Sequence, residues 1–278
     1  MKQPVKKPRS APGGYQHKHS LGQNFLSDAA LLEELIDAAG VGAQDHILEI
    51  GPGAGDMTRL LCGRCKTVTA VEIDRDLLPI LRVVMEKADN FTLVQGDILR
   101  VNIPEIMAGK TPFHVVANIP YYLTTDLLTL LLRGELPIRS VNVMVQKEAA
   151  QRVLAAPSTP EYGPLAVRAQ YYTQPRLARI VEAACFTPPP KVDSAFLCMP
   201  WRDTPAVAVR DEKRFFRIVH AAFALRRKTL CNNLISAFRI DRAEAAAWLA
   251  RAGLPENVRG EALTLEEFAA LEERWGNE

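Results

Sequence analysis

The sequence predicts an α/β fold, in which a doubly wound, mostly parallel sheet of seven strands precedes a small all-α C-terminal domain. Short apolar runs alternate with helical patterns through most of the chain. Because these runs are apolar on both faces, they are typical of strands that helices cover on both sides. Beyond residue 203 only helical patterns remain, which indicates a separate helical domain.

The first predicted elements form the amino-terminal part of the sheet and its helices. A helical pattern covers residues 27–40, with Ser27 or Asp28 at the cap and Gly40 as the stop. Apolar runs predict strands at 46–50, 67–73, 91–95, 113–117 and 140–146, and the patterns between them predict helices at 55–64, 75–88 and 124–133. Ligands of such sheets bind at the carboxyl ends of the strands, so functional residues are expected there.

The later elements complete the sheet, and only helical patterns follow the last strand. Helical patterns at 148–155 and 164–172 are followed by two last strands, at 176–186 and 193–201. Three helical stretches end the chain, at 212–238, 242–253 and 264–275. We therefore place a boundary near Asp203. The predicted parts are a basic tail without fixed structure at 1–17, an α/β domain at 18–203 and a helical domain at 204–278.

Composition places the chain among globular proteins of a reducing compartment. Of its 278 residues, 48% are hydrophobic and 24% charged, and we find no apolar run that would cross a membrane. The first residues lack the apolar core of a secretory signal. Five cysteines argue against a disulfide framework, and the Cys62–Cys65 pair lacks the second pair of a structural zinc site. A cytoplasmic protein without a metal or a membrane partner is expected.

Positive charge is concentrated in two segments, although the net charge is only +2. No acidic residue precedes Asp28, and the segment 210–228 carries seven Lys and Arg residues against two acids. Local basic patches attract the phosphates of nucleic acids. A disordered tail and an ordinary solvated helix face would carry the same charges. Charge alone therefore leaves open whether these segments bind nucleic acid.

A glycine-rich turn follows the first predicted strand and opens a helix. Gly51, Gly53 and Gly55 allow a tight turn and a close approach of the backbone to a ligand. The dinucleotide fingerprint would need its third glycine at position 56, where the chain has Asp56. The pattern therefore disfavours NAD and favours a ligand without a pyrophosphate.

Two carboxylates end the next two predicted strands. Glu72 lies at the distance from the glycine turn at which a carboxylate accepts hydrogen bonds from ribose hydroxyls. Asp97 follows the third strand, where it could accept from an adenine amino group. S-adenosylmethionine contains adenosine, lacks phosphate and carries a cationic centre, so it fits this arrangement better than NAD does.

The tetrapeptide Asn-Ile-Pro-Tyr follows the fourth predicted strand, beside the expected methyl donor. The Asn118 amide oxygen and the Ile119 carbonyl could accept hydrogen bonds from a planar amine such as adenine N6, whose lone pair is delocalised into the ring. Pro120 fixes φ and holds that carbonyl in place, and Tyr121 offers a face for base stacking. Asn118 to Tyr121 are therefore predicted to be catalytic. A capped turn with one buried tyrosine is the structural alternative.

Seven segments, in this order, resemble the ribosomal RNA adenine N6,N6-dimethyltransferases. They are "HSLGQNFLSD", "ILEIGPGAGDMT", "VEIDRDL", "QGDIL", "NIPYYLTT", "MVQKEAAQRVLA" and "FTPPPKVDSAF", and "AAFALRRKTLCNNL" extends the match into the helical region. The resemblance is greatest to the type that dimethylates two adjacent adenosines near the 3′ end of small-subunit (16S) rRNA during ribosome maturation. It implies a Rossmann-like methyltransferase domain, an rRNA partner and a helical domain that binds RNA.

The resemblance also implies roles for further residues. Asn24 and Leu26 would close over the cofactor, and Gly51 would contact its methionine end. Asn118 would be shared by the cofactor and the target amine. Phe186 would help to frame the target base opposite the tyrosine, and Lys191 could meet a phosphate. Nothing in the sequence indicates a large apolar seam, so a monomer is expected.

Three other functions compete with this prediction. One is a methylase that modifies a single adenosine of large-subunit rRNA; the 223–234 segment and "QKE" at 146–148 favour the small-subunit type. Another is a ribosome-assembly factor that acts by occupying an immature subunit, which could coexist with methyl transfer. An NAD-dependent oxidoreductase is the third.

Overall fold

The computed structural model describes residues 22–276, so the predicted tail at 1–17 lies outside the described residues. The chain divides into two compact units. The first contains the described residues up to Ala150 and also Pro175–Trp201; the second contains Gln151–Gln174 and the described residues from Arg202 onward. Among residues 22–276, no helix has the length and apolar character needed to cross a membrane.

The first unit contains nine strands in two sheets. A two-stranded sheet consists of β1 (Phe25–Leu26) and β8 (Phe186–Thr187). The seven strands of the main sheet are β2 (His46–Ile50), β3 (Thr67–Glu72), β4 (Phe91–Gln95), β5 (Phe113–Asn118), β6 (Ile138–Gln146), β7 (Arg176–Val181) and β9 (Ser194–Pro200).

The main sheet has the order β4-β3-β2-β5-β6-β9-β7. The first five strands in this order are parallel, and β9 pairs antiparallel with both β6 and β7. The prediction of a doubly wound, mostly parallel seven-stranded sheet is therefore confirmed. The chain order reverses at β2, which lies between β3 and β5, and such a reversal opens a crevice at the carboxyl ends of the strands.

Helix α1 (Ala29–Ala39) precedes the first strand of the main sheet, and the other helices of the first unit connect its parallel strands. These are α2 (Asp56–Arg64), α3 (Leu77–Val84), α4 (Ile103–Ile106) and α5 (Thr124–Leu131). Helix α1 begins as predicted, because the Asp28 side chain accepts from the amides of Ala30 and Leu31, and it ends at Gly40 with a φ of 68°. Leu35 and Ile36 of α1 are buried with Val116 and Phe196 of the sheet in one core cluster.

The second unit is entirely helical. After α6 (Lys147–Leu154), in which the chain passes from the first unit to the second, its helices are α7 (Pro164–Tyr172), α8 (Glu212–Ala224), α9 (Leu230–Phe238), α10 (Arg242–Arg251) and α11 (Leu265–Glu273). The predicted helical stretch at 212–238 is two helices, because the chain turns between Ala224 and Leu230 and Thr229 caps α9.

The second unit begins earlier in the chain than the predicted boundary near Asp203, because Gln151–Gln174 belongs to it. An aromatic cluster explains the difference: the Tyr171 ring of α7 stacks on Phe215 of α8, with 5.0 Å between centroids, and Tyr172 stacks on Phe216 at 5.7 Å. Phe215 and Phe216 are buried, so they belong to the core of this unit rather than to an RNA-facing surface.

Candidate active site

The carboxyl ends of four neighbouring strands surround a cavity of about 310 Å³. Because β2, β3, β4 and β5 are parallel, the residues that follow or end them lie at one edge of the sheet. Most of the predicted site residues line this cavity: Asn24, Gly51, Glu72, Asp97, Asn118, Ile119, Pro120 and Tyr121. A cavity of this size is within the range of small-molecule sites, roughly 300–1,000 Å³.

The glycine turn after β2 forms one wall of the cavity. Gly51 has a φ of 68° and its amide donates to the Val71 carbonyl over 3.0 Å. Gly53 has a φ of 60°, and a Cβ there would lie 2.8 Å from the Phe25 ring. Glycine is therefore required at position 53 by both the backbone conformation and the space beside it.

Glu72 ends β3 with its carboxylate buried at the cavity. Its Oε1 accepts from the Asp74 amide over 2.8 Å and its Oε2 from the Gly53 amide over 3.4 Å. Burial raises the pKa of Glu72 above its usual value, and these amides oppose the shift because they favour the charged form. The two amides fix the carboxylate beside the glycine turn.

Asp97 lies just beyond β4, next to Glu72. The Gly96 amide donates to the Glu72 carbonyl over 2.9 Å, which joins the two strand ends. The Asp97 carboxylate accepts from the Leu99 amide over 3.0 Å, and Arg100 Nε lies 3.6 Å from its Oδ2. One side of the carboxylate is thus anchored to the following turn while the residue lines the cavity.

Asn118 is the last residue of β5, and its side chain is held from outside the sheet. Its Nδ2 donates to the backbone carbonyl of Asn24 over 2.8 Å. Since the amide nitrogen is used in this way, the amide oxygen is the group that remains to accept from a ligand. The Ile119 amide donates to the Met144 carbonyl of β6 over 3.1 Å, which fixes the backbone at this point. Pro120 follows with a φ of −56°.

Tyr121 is tied to the antiparallel part of the sheet. Its hydroxyl and the Ser194 hydroxyl at the start of β9 form a hydrogen bond of 3.0 Å. Ser194 is fully buried, so it cannot follow a moving tyrosine. Burial raises the pKa of Tyr121, against the effect of this hydrogen bond, and the phenol stays neutral near pH 7. The contact with Ser194 was not anticipated from the sequence.

The segment that contains Asn24 and Leu26 reaches the site through the small β1–β8 sheet. Phe25 pairs with Thr187 and Leu26 with Phe186 in an antiparallel register. No strand is predicted here from the sequence, since two residues are too few to show a strand pattern. The pairing places the Asn24 carbonyl against Asn118.

A family model described as "Ribosomal RNA adenine dimethylase" matches residues 14–274. The chain belongs to the ribosomal RNA adenine dimethylase family. S-adenosylmethionine is therefore its methyl donor, ribosomal RNA is its substrate, and the prediction of an rRNA dimethyltransferase is confirmed. An NAD-dependent oxidoreductase is excluded by the same finding.

Two relatives of this dimethylase carry the name "Ribosomal RNA small subunit methyltransferase A". The protein of Streptococcus sanguinis is 44% identical over 93% of this chain and 91% of its own. The protein of Lactococcus lactis is 44% identical over 92% of this chain and 89% of its own. Both similarities run through the α/β unit and the helical unit.

Solved structures share the fold of this dimethylase. The 23S rRNA methyltransferase ErmE is 27% identical, with a TM-score of 0.70 over 91% of this chain and 100% of its own. A dimethyladenosine transferase from Plasmodium falciparum has a TM-score of 0.76 at 23% identity, covering 89% of this chain and 95% of its own. The second similarity shows the fold only.

Phe186 does not line the cavity of this dimethylase, contrary to its predicted place opposite Tyr121. Its side chain is 1% exposed and belongs to the core cluster that contains Leu26 and Phe196. The β1–β8 pairing turns the ring inward, so contact with a base would require the ring to leave this position. Lys191, in the loop that follows, is exposed.

Glu49 is a residue of the site that the sequence did not single out. It lies on β2 with 2% exposure, and its Oε2 has no hydrogen-bond partner among the described residues. Burial raises its pKa to about 8; the charge of Glu72 acts in the same direction and the neighbouring Thr58 opposes it. A lone glutamate within an otherwise apolar strand, directly before the glycine turn, was the signal available in the sequence.

The residues of the cavity fit S-adenosylmethionine. Positive φ at Gly51 and Gly53 brings the backbone close to the cavity, and two carboxylates face it from neighbouring strand ends. Glu49, whose Oε2 has no hydrogen-bond partner among the described residues, lines a smaller cavity of about 40 Å³ together with Gly51 and Asn118. This cofactor is positively charged, so acidic groups around it are favourable. Its hydroxyl and amino groups require hydrogen-bond acceptors, which the carboxylates provide.

Proposed function

We propose that this dimethylase transfers methyl groups to N6 of two adjacent adenosines near the 3′ end of small-subunit rRNA, giving N6,N6-dimethyladenosines during small-subunit biogenesis. The observation that carries the proposal is the fixed Asn118 amide at the end of β5, in one cavity with Glu72 and Asp97. The names of the relatives at 44% identity support the small subunit as the source of the RNA.

The cofactor is proposed to lie across the ends of β2, β3 and β4. When bound, S-adenosylmethionine supplies a methyl group on a positively charged sulfur. Glu72 accepts from its ribose hydroxyls and Asp97 from its adenine amino group. Gly51 faces the methionine end, and Asn24 and Leu26 close over the cofactor from the β1 side.

The target amine is proposed to lie between Asn118 and Ile119. The Asn118 amide oxygen and the Ile119 carbonyl accept its two N–H bonds and draw them out of the plane of the base, which makes the lone pair available. No strong base is needed, because the nitrogen becomes acidic once it is alkylated. Pro120 and the Ile119–Met144 hydrogen bond keep the carbonyl in place before the substrate arrives.

Base stacking is assigned to Tyr121. Its hydroxyl is fixed by Ser194, so one face of the ring can meet a base without further ordering. Phe186 keeps its proposed role of framing the base only if the ring leaves the core, while Lys191 is exposed and free to meet a phosphate.

The helical domain at 204–278 is proposed to bind RNA, and the enzyme is proposed to act as a cytoplasmic monomer. Exposed cations support RNA binding: Arg226, Arg227 and Lys228 occupy the turn between α8 and α9. Some acidic residues of this unit are paired with its arginines, as in Arg242–Glu256 and Arg214–Glu272.

Incubation of the purified protein and labelled cofactor with undermethylated small or large ribosomal subunits tests the proposal. Label is expected in small-subunit RNA, at two adjacent adenosines by mass spectrometry. Label confined to large-subunit RNA would overturn the choice of subunit, an alternative that the structural similarity to a 23S rRNA methyltransferase keeps open.

The Glu72→Ala variant separates catalysis from occupancy of the subunit. We expect it to lose methyl transfer and to keep its binding to immature small subunits, because Glu72 faces the cofactor cavity. Methyl transfer at the normal rate by this variant would show that the cofactor site is assigned wrongly. Binding without any transfer by the unmodified protein would favour a pure assembly factor.

A further inference from the structure

A small chamber adjoins the main cavity where β2 passes into the glycine turn. Its volume of about 40 Å³ exceeds the roughly 10–15 Å³ that one water molecule needs. Glu49, Gly51 and Asn118 line it, together with apolar residues such as Phe25 and Leu26. The chamber therefore has room for one small polar group that enters from the cofactor side.

The Glu49 carboxyl is the only buried side chain of the chamber, among the described residues, with an unpartnered oxygen. No Lys, Arg or His lines the chamber in residues 22–276. The titratable groups that face Glu49 are Glu72 on β3, Cys62 on α2 and, at the wall of the chamber, Asp56 at the start of α2. These neighbours can carry only negative charge, so residues 22–276 offer the ionised carboxyl no counter-charge at the chamber.

Glu49 differs in this respect from Glu72. The Glu72 carboxylate accepts from two backbone amides, which favour its charged form. Glu49 accepts from no amide that compensates burial, and its pKa of about 8 means that the side chain is neutral near pH 7. A neutral acid in a chamber that opens onto the site of a cationic ligand is poised to respond to that ligand.

We propose that the chamber receives the ammonium group at the amino-acid end of the cofactor and that Glu49 gives up its proton when this group enters. The inference rests on the proposed cofactor site. The O–H bond of Glu49 breaks, the proton passes to the solvent, and the carboxylate formed is paired with the ammonium group. No electron transfer and no other reactant is involved.

Proton release makes cofactor affinity depend on pH. While the free protein holds the proton and the bound protein does not, the association constant rises up to about tenfold per pH unit. The ligand's own ammonium group keeps its proton below about pH 7. At about pH 6.5 the released proton must therefore come from the protein.

Calorimetry with S-adenosylhomocysteine, which has the same amino-acid end, measures the number of protons released. Titrations at about pH 6.5 in phosphate, PIPES and imidazole give different heats if protons pass to the buffer, and the slope against the buffer's ionisation enthalpy gives their number. We expect about one proton for the unmodified protein. A slope of zero would overturn the inference.

The Glu49→Gln variant is the matched control, since glutamine resembles the neutral acid in shape. It should bind S-adenosylhomocysteine more weakly, release no proton and show no rise of affinity between about pH 6 and 7.5. Release of one proton by this variant would assign the proton to another group. If the variant is unstable, the number of protons released by the unmodified protein still tests the inference.

Methylthioadenosine, which lacks the amino-acid end, tests whether proton release depends on that end of the ligand. It should compete with S-adenosylhomocysteine without releasing a proton; release equal to that of S-adenosylhomocysteine would contradict the assignment of the chamber. Binding of S-adenosylhomocysteine without proton release would refute only this inference. Absence of any binding would instead refute the proposed cofactor site.

Discussion

The side-chain amide of Asn118 donates a hydrogen bond to the backbone carbonyl of Asn24, 94 residues earlier in the chain, over 2.8 Å. The bond fixes which end of the amide faces the cavity, because its nitrogen is committed to Asn24 and its oxygen is left for a ligand. It also links the β1 segment to the end of β5.

Replacing Asn118 should therefore remove both an acceptor and an anchor. We expect Asn118→Ala to lower single-turnover methyl transfer by about 10²–10³-fold, as loss of one fixed polar group in an active site does. Asn118→Asp should fail similarly, since a carboxylate cannot donate to the Asn24 carbonyl. Transfer within threefold of normal by either variant would contradict the role of the amide; a thermal melt checks that both variants fold.

The Tyr121–Ser194 hydrogen bond predicts coupled effects on catalysis. Tyr121→Phe and Ser194→Ala should each lower kcat by about five- to tenfold, because each loses a bond worth about 1 kcal/mol that positions the ring. The double variant should be no worse than either single one. Additive losses in the double variant would show that the two residues act separately.

Two glycines of the same region provide a matched pair for a stability measurement. Gly53→Ala should destabilise the fold by 1 kcal/mol or more and weaken cofactor binding, because φ is positive and the new Cβ would meet the Phe25 ring at 2.8 Å. Gly63→Ala, within α2, meets nothing within 4 Å and should stabilise by about 0.5–1 kcal/mol. Urea unfolding compares both; equal effects would refute the argument.

Glu49 should make stability fall as pH rises. Its pKa in the folded protein is about 8, whereas the unfolded chain has the usual value near 4.3. Below about pH 4 the group is protonated in both states and costs nothing; between about pH 4 and 8 only the unfolded state ionises, so stability falls by up to about 1.4 kcal/mol per pH unit. Glu49→Gln removes this pH-dependent loss of stability, because glutamine does not ionise. Urea unfolding at pH 5, 6, 7 and 8 should show that the free energy of unfolding of the variant increases with pH relative to that of the unmodified protein. A constant difference between the two proteins would contradict this prediction.

A buried glutamate stabilises the helical unit. Glu272 is fully buried and accepts from the Arg210 and Asp211 amides, over 2.9 and 3.1 Å, and from the Arg214 side chain. Glu272→Ala should cost about 2–3 kcal/mol, because it leaves two amides without their acceptor and leaves Asp211 as the acidic partner of Arg214. Glu273→Ala, at an exposed position next to it, should cost less than about 1 kcal/mol. Thermal or urea unfolding distinguishes the two.

Most of the main sheet could be predicted because its strands are short apolar runs bounded by turn residues. The predicted strands at 46–50 and 91–95 match β2 and β4 at both ends. The predicted strand at 176–186 was too long, since β7 ends at Val181 and β8 begins only at Phe186. The boundary near Asp203 missed the aromatic packing of α7 on α8, because contacts between segments far apart in the chain leave no local pattern.

The sequence by itself determined the order of the elements, the glycine turn and the polar residues at the strand ends, because parallel strands carry those residues to one edge whatever the details of packing. Only the tertiary structure decided which side chains are fixed and which are hidden. The β1–β8 pairing anchors Asn118 and turns Phe186 into the core, and the packing around β2 leaves one oxygen of the Glu49 carboxyl without a partner among the described residues. These outcomes depend on burial and on hydrogen bonds between distant segments, which a linear pattern of residues does not contain.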